Sequence, residues 1–541
     1  MIMKKNIIAL ALALFTLASC SDSFLDRQYE GSSMGQEKYE QLSSEKLRGT
    51  LLGCYTMIYT MSGDQHDEFG QRSIDLWGDI LSGDIALTNK TYGWLYVDEQ
   101  MSTVTSRTGT IWTFYYKMIH NINVTIASIE NSIHLSDSIA AYGYPSEDNK
   151  HAYSEEMTNY ALYMAQAKAF RGYCYANLVR WYTPVGARIN EYPCIPVYTE
   201  DNMTEAQGLS KSSVVYDRVF DDIGTSVKLF ETFGWYYEQL NDVAYTRNSK
   251  LEIDVNVARG LMAYACLNAA PYYQSVDATT AKNLYRQAHK YAHDAIESGA
   301  HRIIPNSMLY STGFNSVEEQ SWMWGQKVVT ETAGGLKSWF GHMDIHSYSY
   351  AWAGDTKVID ENLKTLIPAW DGRSRWFNDG SKKSAYKDCP DGKFFSAANP
   401  SSTADADLDR EWLSDNVFMR IESMYLIAAE ACYFIDSIDA SVGYLTSVTD
   451  ERLNNEYPLA QAEYDSWKGT LAGPALLSEI EYNWRIEMWG EGYGLQTFRR
   501  LTGVKKRGSN HDASPNSEVK AGDTPFNMNI PSSEATYNPN I

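Results

Sequence analysis

Basic residues are in short supply in this chain. Against 68 Asp and Glu there are 46 Lys and Arg across 541 residues, for a formal net charge of −22. A nucleic-acid partner needs a basic face to meet its phosphates, so this balance argues against that class, and more weakly against polyanionic sugars. Glycine and proline are also few, at 36 and 15, which excludes collagen. Hydrophobic residues make up 44%, so the low hydrophobicity that marks disorder is missing. Cysteine is sparse at seven, with no C-x-x-C pair and no zinc-type spacing. Cys54, Cys174, Cys266 and Cys432 each sit inside an apolar helical pattern, which predicts buried free thiols rather than disulfides. No apolar run reaches the roughly 20 residues that span a bilayer. Aromatic residues, by contrast, make up 13%, including 39 Tyr and 15 Trp. Tyr and Trp carry one apolar and one polar side, which suits amphipathic ligands. The length is enough to bury a large core.

The N-terminus reads as an export signal. Lys4 and Lys5 precede an apolar run from Ile7 to Leu17, broken only by Thr16, and small residues come next. Leu17-Ala18-Ser19-Cys20 resembles the lipobox of bacterial lipoproteins. That resemblance implies removal of residues 1–19 and acylation of Cys20, whose several acyl chains hold a protein stably on a membrane. Residues 20–35 are polar with scattered Gly and Ser and read as a tether.

Helical periodicity dominates the chain beyond the tether. Ile111, Tyr115, Met118, Ile122, Ile126, Ile129 and Ile133 step by three or four and mark one long helix. Leu162, Ala165, Ala169, Gly172 and Ala176 form a second stripe, small enough for another helix to come close. Ala258, Leu261, Ala265 and Ala269 form a third, which Pro271 is predicted to stop. Tyr285, Ala288, Ala292 and Ala295 form a fourth, with Gly299 just past its end, and Ile421, Tyr425, Ala428, Cys432 and Ile435 a fifth. Small-residue stripes on paired helices are how tetratricopeptide units stack. The predicted fold is therefore mainly α: degenerate tetratricopeptide-like pairs forming a scaffold, with a few short strands such as 322–329. Long irregular stretches are predicted at 62–106, 322–366 and 371–414, the kind of segment that carries function.

Tests for chemistry return little. Gly31-Ser32-Ser33-Met34-Gly35 matches a nucleophile elbow in letters, but it lies in the polar tether with no strand before it. His289 and His293 share a helix face, yet Lys290 stands where a zincin needs Glu, so they read as surface or core histidines. His342, Asp344 and His346 would share one face if that segment were a strand. Asp405, Asp407 and Asp409 begin like a calcium loop, but its sixth residue is Arg410 and its twelfth is Asn416, so an acidic solvated loop is expected. No catalytic residue, metal ligand or cofactor is expected. The better candidates are aromatic clusters in the irregular stretches. Tyr92, Trp94 and Tyr96 alternate after Asn89; Tyr348, Tyr350 and Trp352 alternate after Trp339-Phe340. A sugar ring presents a flat C–H face that packs on an aromatic plane, while its hydroxyls seek polar neighbours such as Asn89. These eight residues (Asn89, Tyr92, Trp94, Tyr96, Trp339, Tyr348, Tyr350 and Trp352) are the candidate ligand site. The bland alternative is that the alternating aromatics are half-buried strand residues.

Taken in order, several segments resemble the SusD/RagB family of Bacteroidota outer-membrane lipoproteins, almost end to end. Cys20 to Asp26 looks like its acylated start. The helix from Trp112 to Ile129, the segment Arg171-Gly172-Tyr173 and the helix from Val215 to Leu229 are similar to its helices. Asp371-Gly372-Arg373, Arg420 with Glu422 and Glu430, Glu487, Glu491-Gly492 and Arg499-Arg500 are similar to its later motifs. Gly494 and Thr497 stand where the family usually has Arg and Asp. The resemblance implies one SusD-like globular domain over 36–541, its N-terminal half running to about 300 and its RagB-like half from about 301, with four tetratricopeptide-like pairs. It implies a non-enzymatic outer-membrane lipoprotein, lipid-anchored and facing the cell exterior. Such a protein captures neutral oligosaccharides through aromatics from regions placed much like these two, and passes them to a SusC-like TonB-dependent transporter. A peptide-capturing RagB-like member and a surface-anchored glycoside hydrolase are the alternatives.

Overall fold

The structure is a computed structural model that describes residues 44–59, 65–89, 106–149, 152–243, 245, 250–310, 313–332, 334–381, 383–394, 414–523 and 528–541. The signal, Cys20, the tether, Tyr92, Trp94, Tyr96 and the Asp405–Asp409 loop lie outside the described residues. Helices dominate, as the periodicity predicts. Helix α1 spans Ser44–Met57, α2 Gln71–Ser82, α3 Ser106–Ile133, α4 Glu155–Tyr182 and α5 Ser212–Asn241. Then come α6 Val255–Gln274, α7 Ala278–Glu297, α8 Trp339–Met343, α9 Ile421–Phe434, α10 Ile438–Thr449 and α11 Gly473–Glu487. Local sequence sets several starts: the side chains of Ser154, Asp254 and Asp277 accept from free amides in the first turns of α4, α6 and α7.

Four helix pairs, α1/α3, α4/α5, α6/α7 and α9/α10, stack in series, each pair packed on the next. The small-residue stripe on α4 explains one close approach. A Cβ at Gly172 would lie 2.4 Å from Cγ1 of Ile223 on α5. The last pair enters the stack from more than a hundred residues downstream, directly against α7.

Two expectations change. Helix α2 lies within 62–106, expected to be irregular. Ile74, Trp77, Ile80 and Leu81 are buried at helical spacing, but a 12-residue element bounded by Gly70 and Gly83 gives too short a stripe to stand out. Pro271 does not stop α6, which continues to Gln274. So near the helix end it forfeits one ladder bond, and Tyr272 Oη donates to Thr183 O at 3.2 Å, tying down the last turn.

The strands form four antiparallel two-stranded ribbons among the described residues. Strand β1 (Ile85–Leu87) pairs with β5 (Lys357–Ile359), and β2 (Pro193–Ile195) with β3 (Ser210–Lys211). Strand β4 (Trp322–Gln326) pairs with β6 (Asn416–Arg420), and β7 (Val504–Lys506) with β8 (Glu518–Lys520).

The later motif residues meet in a buried ionic network. Glu487, at the end of α11, accepts from Arg420 Nη1 at 2.7 Å, from Arg452 at 2.8 and 2.9 Å, and from Arg373 Nη1 at 3.1 Å. Arg373 also grips Asp371, and Arg420 grips Glu491, which accepts from Lys393 Nζ at 2.7 Å. Glu422 pairs with Arg420 and Arg452. Four cations thus meet four anions with almost no solvent contact. Burial opposes ionisation of Glu487, but Arg452, Arg420 and Arg373 outweigh it and hold the carboxyl well below its usual range.

The glycine at 494, where the resemblance implies Arg, has a steric reason, and nothing in the structure explains Thr497. A Cβ at Gly494 would lie 2.7 Å from Ser82 Oγ and 2.8 Å from Asp79 Oδ1. Helix α2 comes so close that the Gly492 and Gly494 amides each donate to Asp79 at 2.9 Å. The six cysteines among the described residues are free and buried, and burial pushes the Cys54 and Cys389 thiols up to about 12. No helix among the described residues is long and apolar enough to cross a membrane.

Candidate ligand-binding site

Residues 85–89 and the loop carrying Tyr348 and Trp352 lie more than 250 residues apart in sequence, yet they meet at one ribbon. Strands β1 and β5 pair Ile85 with Ile359, Ala86 with Val358 and Leu87 with Lys357. Immediately beyond, the Thr88 amide donates to Thr356 O at 3.3 Å, and its hydroxyl donates to the same carbonyl at 3.1 Å. The Asn89 side-chain amide then donates to Gly354 O. Thr88 and Asn89 are therefore tied to the loop carrying Tyr348 and Trp352, while Tyr92, Trp94 and Tyr96 lie outside the described residues. That bond engages one of the Asn89 side-chain N–H groups with the loop.

The 344–356 loop is held from within. Ser349 Oγ donates to Asp344 O and accepts the Trp352 amide at 3.0 Å. Tyr350 N donates to Gly341 O at 2.9 Å, and Asp355 N to Tyr350 O at 2.9 Å. Ile345, Ala351, Ala86, Val358, Tyr386 and Cys389 form a small separate core beneath it. Lys357 is wholly buried there and donates to Asp355 Oδ2 at 2.7 Å; burial pulls its pKa down despite that partner.

On this support the aromatics divide. Tyr348 is 67% exposed and Trp352 is 37% exposed, with ring centroids 5.7 Å apart and planes tilted by 59°. They form an open, angled aromatic pair. Trp339 and Tyr350 differ from the sequence expectation, because both are buried. Trp339 packs edge-on against Phe394 at 4.8 Å, under the Arg72 guanidinium at 5.7 Å. Tyr350 stacks on His342 at 4.8 Å, and His342 stacks on Phe69 at 5.6 Å. Alternation failed as a guide because 344–356 is a loop of successive turns, not a strand, so neighbouring side chains do not alternate between two faces.

The polar candidates resolve too. His342 belongs to α8 and donates from Nε2 to His66 O at 2.9 Å, while His346 meets Asp391 Oδ1 at 3.0 Å, so the two histidines do not converge. Burial, reinforced by Lys357, drives His342 down to about 3, so the ring is neutral. His289 and His293 both bond the Tyr444 hydroxyl, at 3.3 and 2.8 Å. No group of three or more His, Cys, Asp or Glu among the described residues is arranged to hold a metal. Sequence reasoning missed the ribbon. Its only trace is the apolar triplet Ile85-Ala86-Leu87 and the β-branched pair Val358-Ile359.

No family model matches the sequence, and no curated protein matches it. Solved structures do. A SusD superfamily protein from Bacteroides thetaiotaomicron superposes with a TM-score of 0.66 at 18% identity, covering 92% of this chain and 99% of its own. The chain has the SusD fold. A putative sugar binding protein from Bacteroides vulgatus is similar at TM-score 0.66 and 17% identity, covering 93% of this SusD-like chain and 98% of its own. A SusD-like carbohydrate binding protein from the same species is similar at TM-score 0.64 and 19% identity, with 92% and 97% covered. At such identities the shared feature is the fold.

Proposed function

We propose that this protein is a surface lipoprotein of the SusD type that binds neutral oligosaccharide without chemically altering it. The observation that carries the reading is the solvent-facing Tyr348–Trp352 pair, raised on a hydrogen-bonded loop above its own small core. Two tilted rings offer a flat-faced ligand contact area at little entropic cost, because their support is already ordered. The names of two similar proteins, a carbohydrate binding and a putative sugar binding protein, point the same way. Residues 1–19 then act as the export signal, Cys20 carries the lipid and 20–35 is the tether, with the outer membrane as the site of action. The partner is a SusC-like TonB-dependent transporter, which receives the captured sugar. Stacked helical repeats offer it a broad rigid surface.

Native gels cast with single neutral polysaccharides test ligand class: one of them retards the protein and yields no shortened product, and peptide mixtures do not compete. Retardation by none, with binding of peptides instead, overturns the reading. Mild detergent extraction followed by affinity purification brings down a large β-barrel protein in near-equal amount; recovery of this chain alone across several detergents overturns the partnership.

A further inference from the structure

Three metal-ligating atoms converge between the last two helix pairs. His289 and His293 stand one turn apart on the same face of α7, with ring centroids 5.6 Å apart and planes 20° from parallel. Tyr444 faces them from α10. His289 Nε2 lies 3.3 Å and His293 Nδ1 2.8 Å from the Tyr444 hydroxyl. One nitrogen from each ring is thus aimed at a single point. All three residues are half-buried, so small ions in solvent can reach them.

That convergence is what a bound transition ion uses. Two imidazoles at i and i+4 on one helix face are the zinc-holding part of the H-x-x-x-H pattern, and His289-Lys290-Tyr291-Ala292-His293 reproduces their spacing. The Tyr444 hydroxyl carries one proton and can donate it to only one of the two nitrogens. The other ring must turn its own N–H toward the same oxygen. Moving that proton to the far ring nitrogen frees a second lone pair without changing the net charge. The surroundings favour a cation. Glu297, the exposed last residue of α7, is near enough to act electrostatically on Tyr444. Lys290, next to His289 in the chain, is engaged by Asp294 at 2.7 Å.

We infer that His289, His293 and Tyr444 form a binding site for one imidazole-preferring divalent transition ion, Zn(II) or Cu(II) in kind. Two imidazole nitrogens and a phenol oxygen suit these ions, whereas Ca(II) and Mg(II) call for a shell of oxygens and find one here. An ion about 2.0–2.1 Å from each nitrogen replaces both hydrogen bonds to the hydroxyl. The hydroxyl stays on as third donor, and solvent fills the open positions. Lys290 stands where a zinc protease carries its Glu base, so the site binds without hydrolysing. The bound ion ties α7 to α10 and so fastens the last helix pair onto the stack. This inference does not rest on the Tyr348–Trp352 pair, which uses other residues.

Calorimetric titration of the full chain, carrying no polyhistidine tag, tests it with zinc chloride and copper(II) chloride at about pH 7.5, where imidazole is mostly neutral. Calcium and magnesium chloride are the controls. One zinc or copper ion binds per chain, and the controls do not bind. The copper-loaded protein shows electron paramagnetic resonance couplings from two imidazole nitrogens. His289→Asn and His293→Asn each weaken binding by about tenfold or more, at least the loss that a change of outer-shell partner brings. Tyr444→Phe weakens it by less. The metal raises the melting temperature of the wild type but not of the histidine variants. The resonance spectrum needs no variant, so it decides the matter if a variant does not fold. No stoichiometric binding up to about 1 mM, a copper spectrum without two imidazole nitrogens, or unchanged affinity in any of the three variants overturns the inference. Calcium or magnesium binding as tightly as zinc also overturns it.

Discussion

Tyr348 and Trp352 stand side by side but predict different outcomes when truncated, and the difference follows from their exposure. An enclosed aromatic side chain buries about 150–250 Å². Tyr348 is 67% exposed, so about a third of that lies inside, about 50–80 Å². At about 25 cal/mol per Å² this is worth about 1–2 kcal/mol as an upper bound. Trp352 is 37% exposed, so its buried share is about 100–160 Å², worth about 2.5–4 kcal/mol on the same scale. A stacking ring at the centre of a binding site costs about 2 kcal/mol on truncation, roughly thirtyfold in affinity. Tyr348→Ala is therefore expected to weaken neutral oligosaccharide binding about thirtyfold while moving the melting temperature by only a few degrees. Trp352→Ala is expected to lose affinity and stability together, because it also removes a support of the loop. Trp352→Phe keeps a ring and restores most of the stability with part of the affinity. Calorimetric titration and thermal melts on the same preparations separate these outcomes. Wild-type affinity in Tyr348→Ala, together with wild-type affinity in Trp352→Ala, would refute the platform.

Three further outcomes are expected. Glu487→Gln leaves three buried guanidinium groups short of a carboxylate, so urea unfolding is expected to show a loss of about 3–5 kcal/mol; a loss under about 1 kcal/mol would mean the network is not integral to the fold. His342 is held neutral down to about 3 against an ordinary 6.5, so the unfolded chain takes up a proton that the folded chain refuses. Its stabilisation is present above pH 6.5 and is lost as pH falls from 6.5 toward 3, with a slope of up to about 1.4 kcal/mol per pH unit. Stability measured across that window in His342→Gln should fall less steeply; a parallel profile would refute the assignment. Cys20→Ala should release the protein from the membrane fraction into the soluble one, and unchanged fractionation with the outer membrane would exclude lipid as the anchor.

Local and periodic signals were enough to place the helical scaffold. The stripes on α3, α4, α6, α7 and α9 record a fixed helical period, and each needs only its own residues to be read. Gly172 and Gly299 announced a close approach and a helix end through the absence of a side chain. The charged motif residues Asp371, Arg373, Arg420, Glu422, Glu487 and Glu491 were visible one at a time, but nothing in their spacing placed them in one cluster. Packing did that, because a charge removed from water must find an opposite charge wherever the chain brings one. The same holds for the exposed aromatic pair. Composition showed that aromatics were plentiful, but their exposure depends on what the fold lays over each ring. Trp339 and Tyr350 were covered by Phe394, Arg72 and His342, while Tyr348 and Trp352 were left open. Three residue pairs between β1 and β5 bring together segments that no local rule connects. Periodicity is a property of neighbours along the chain, so the sequence alone determined the scaffold. Exposure and long-range pairing are properties of neighbours in space, so only the tertiary structure decided which rings face solvent.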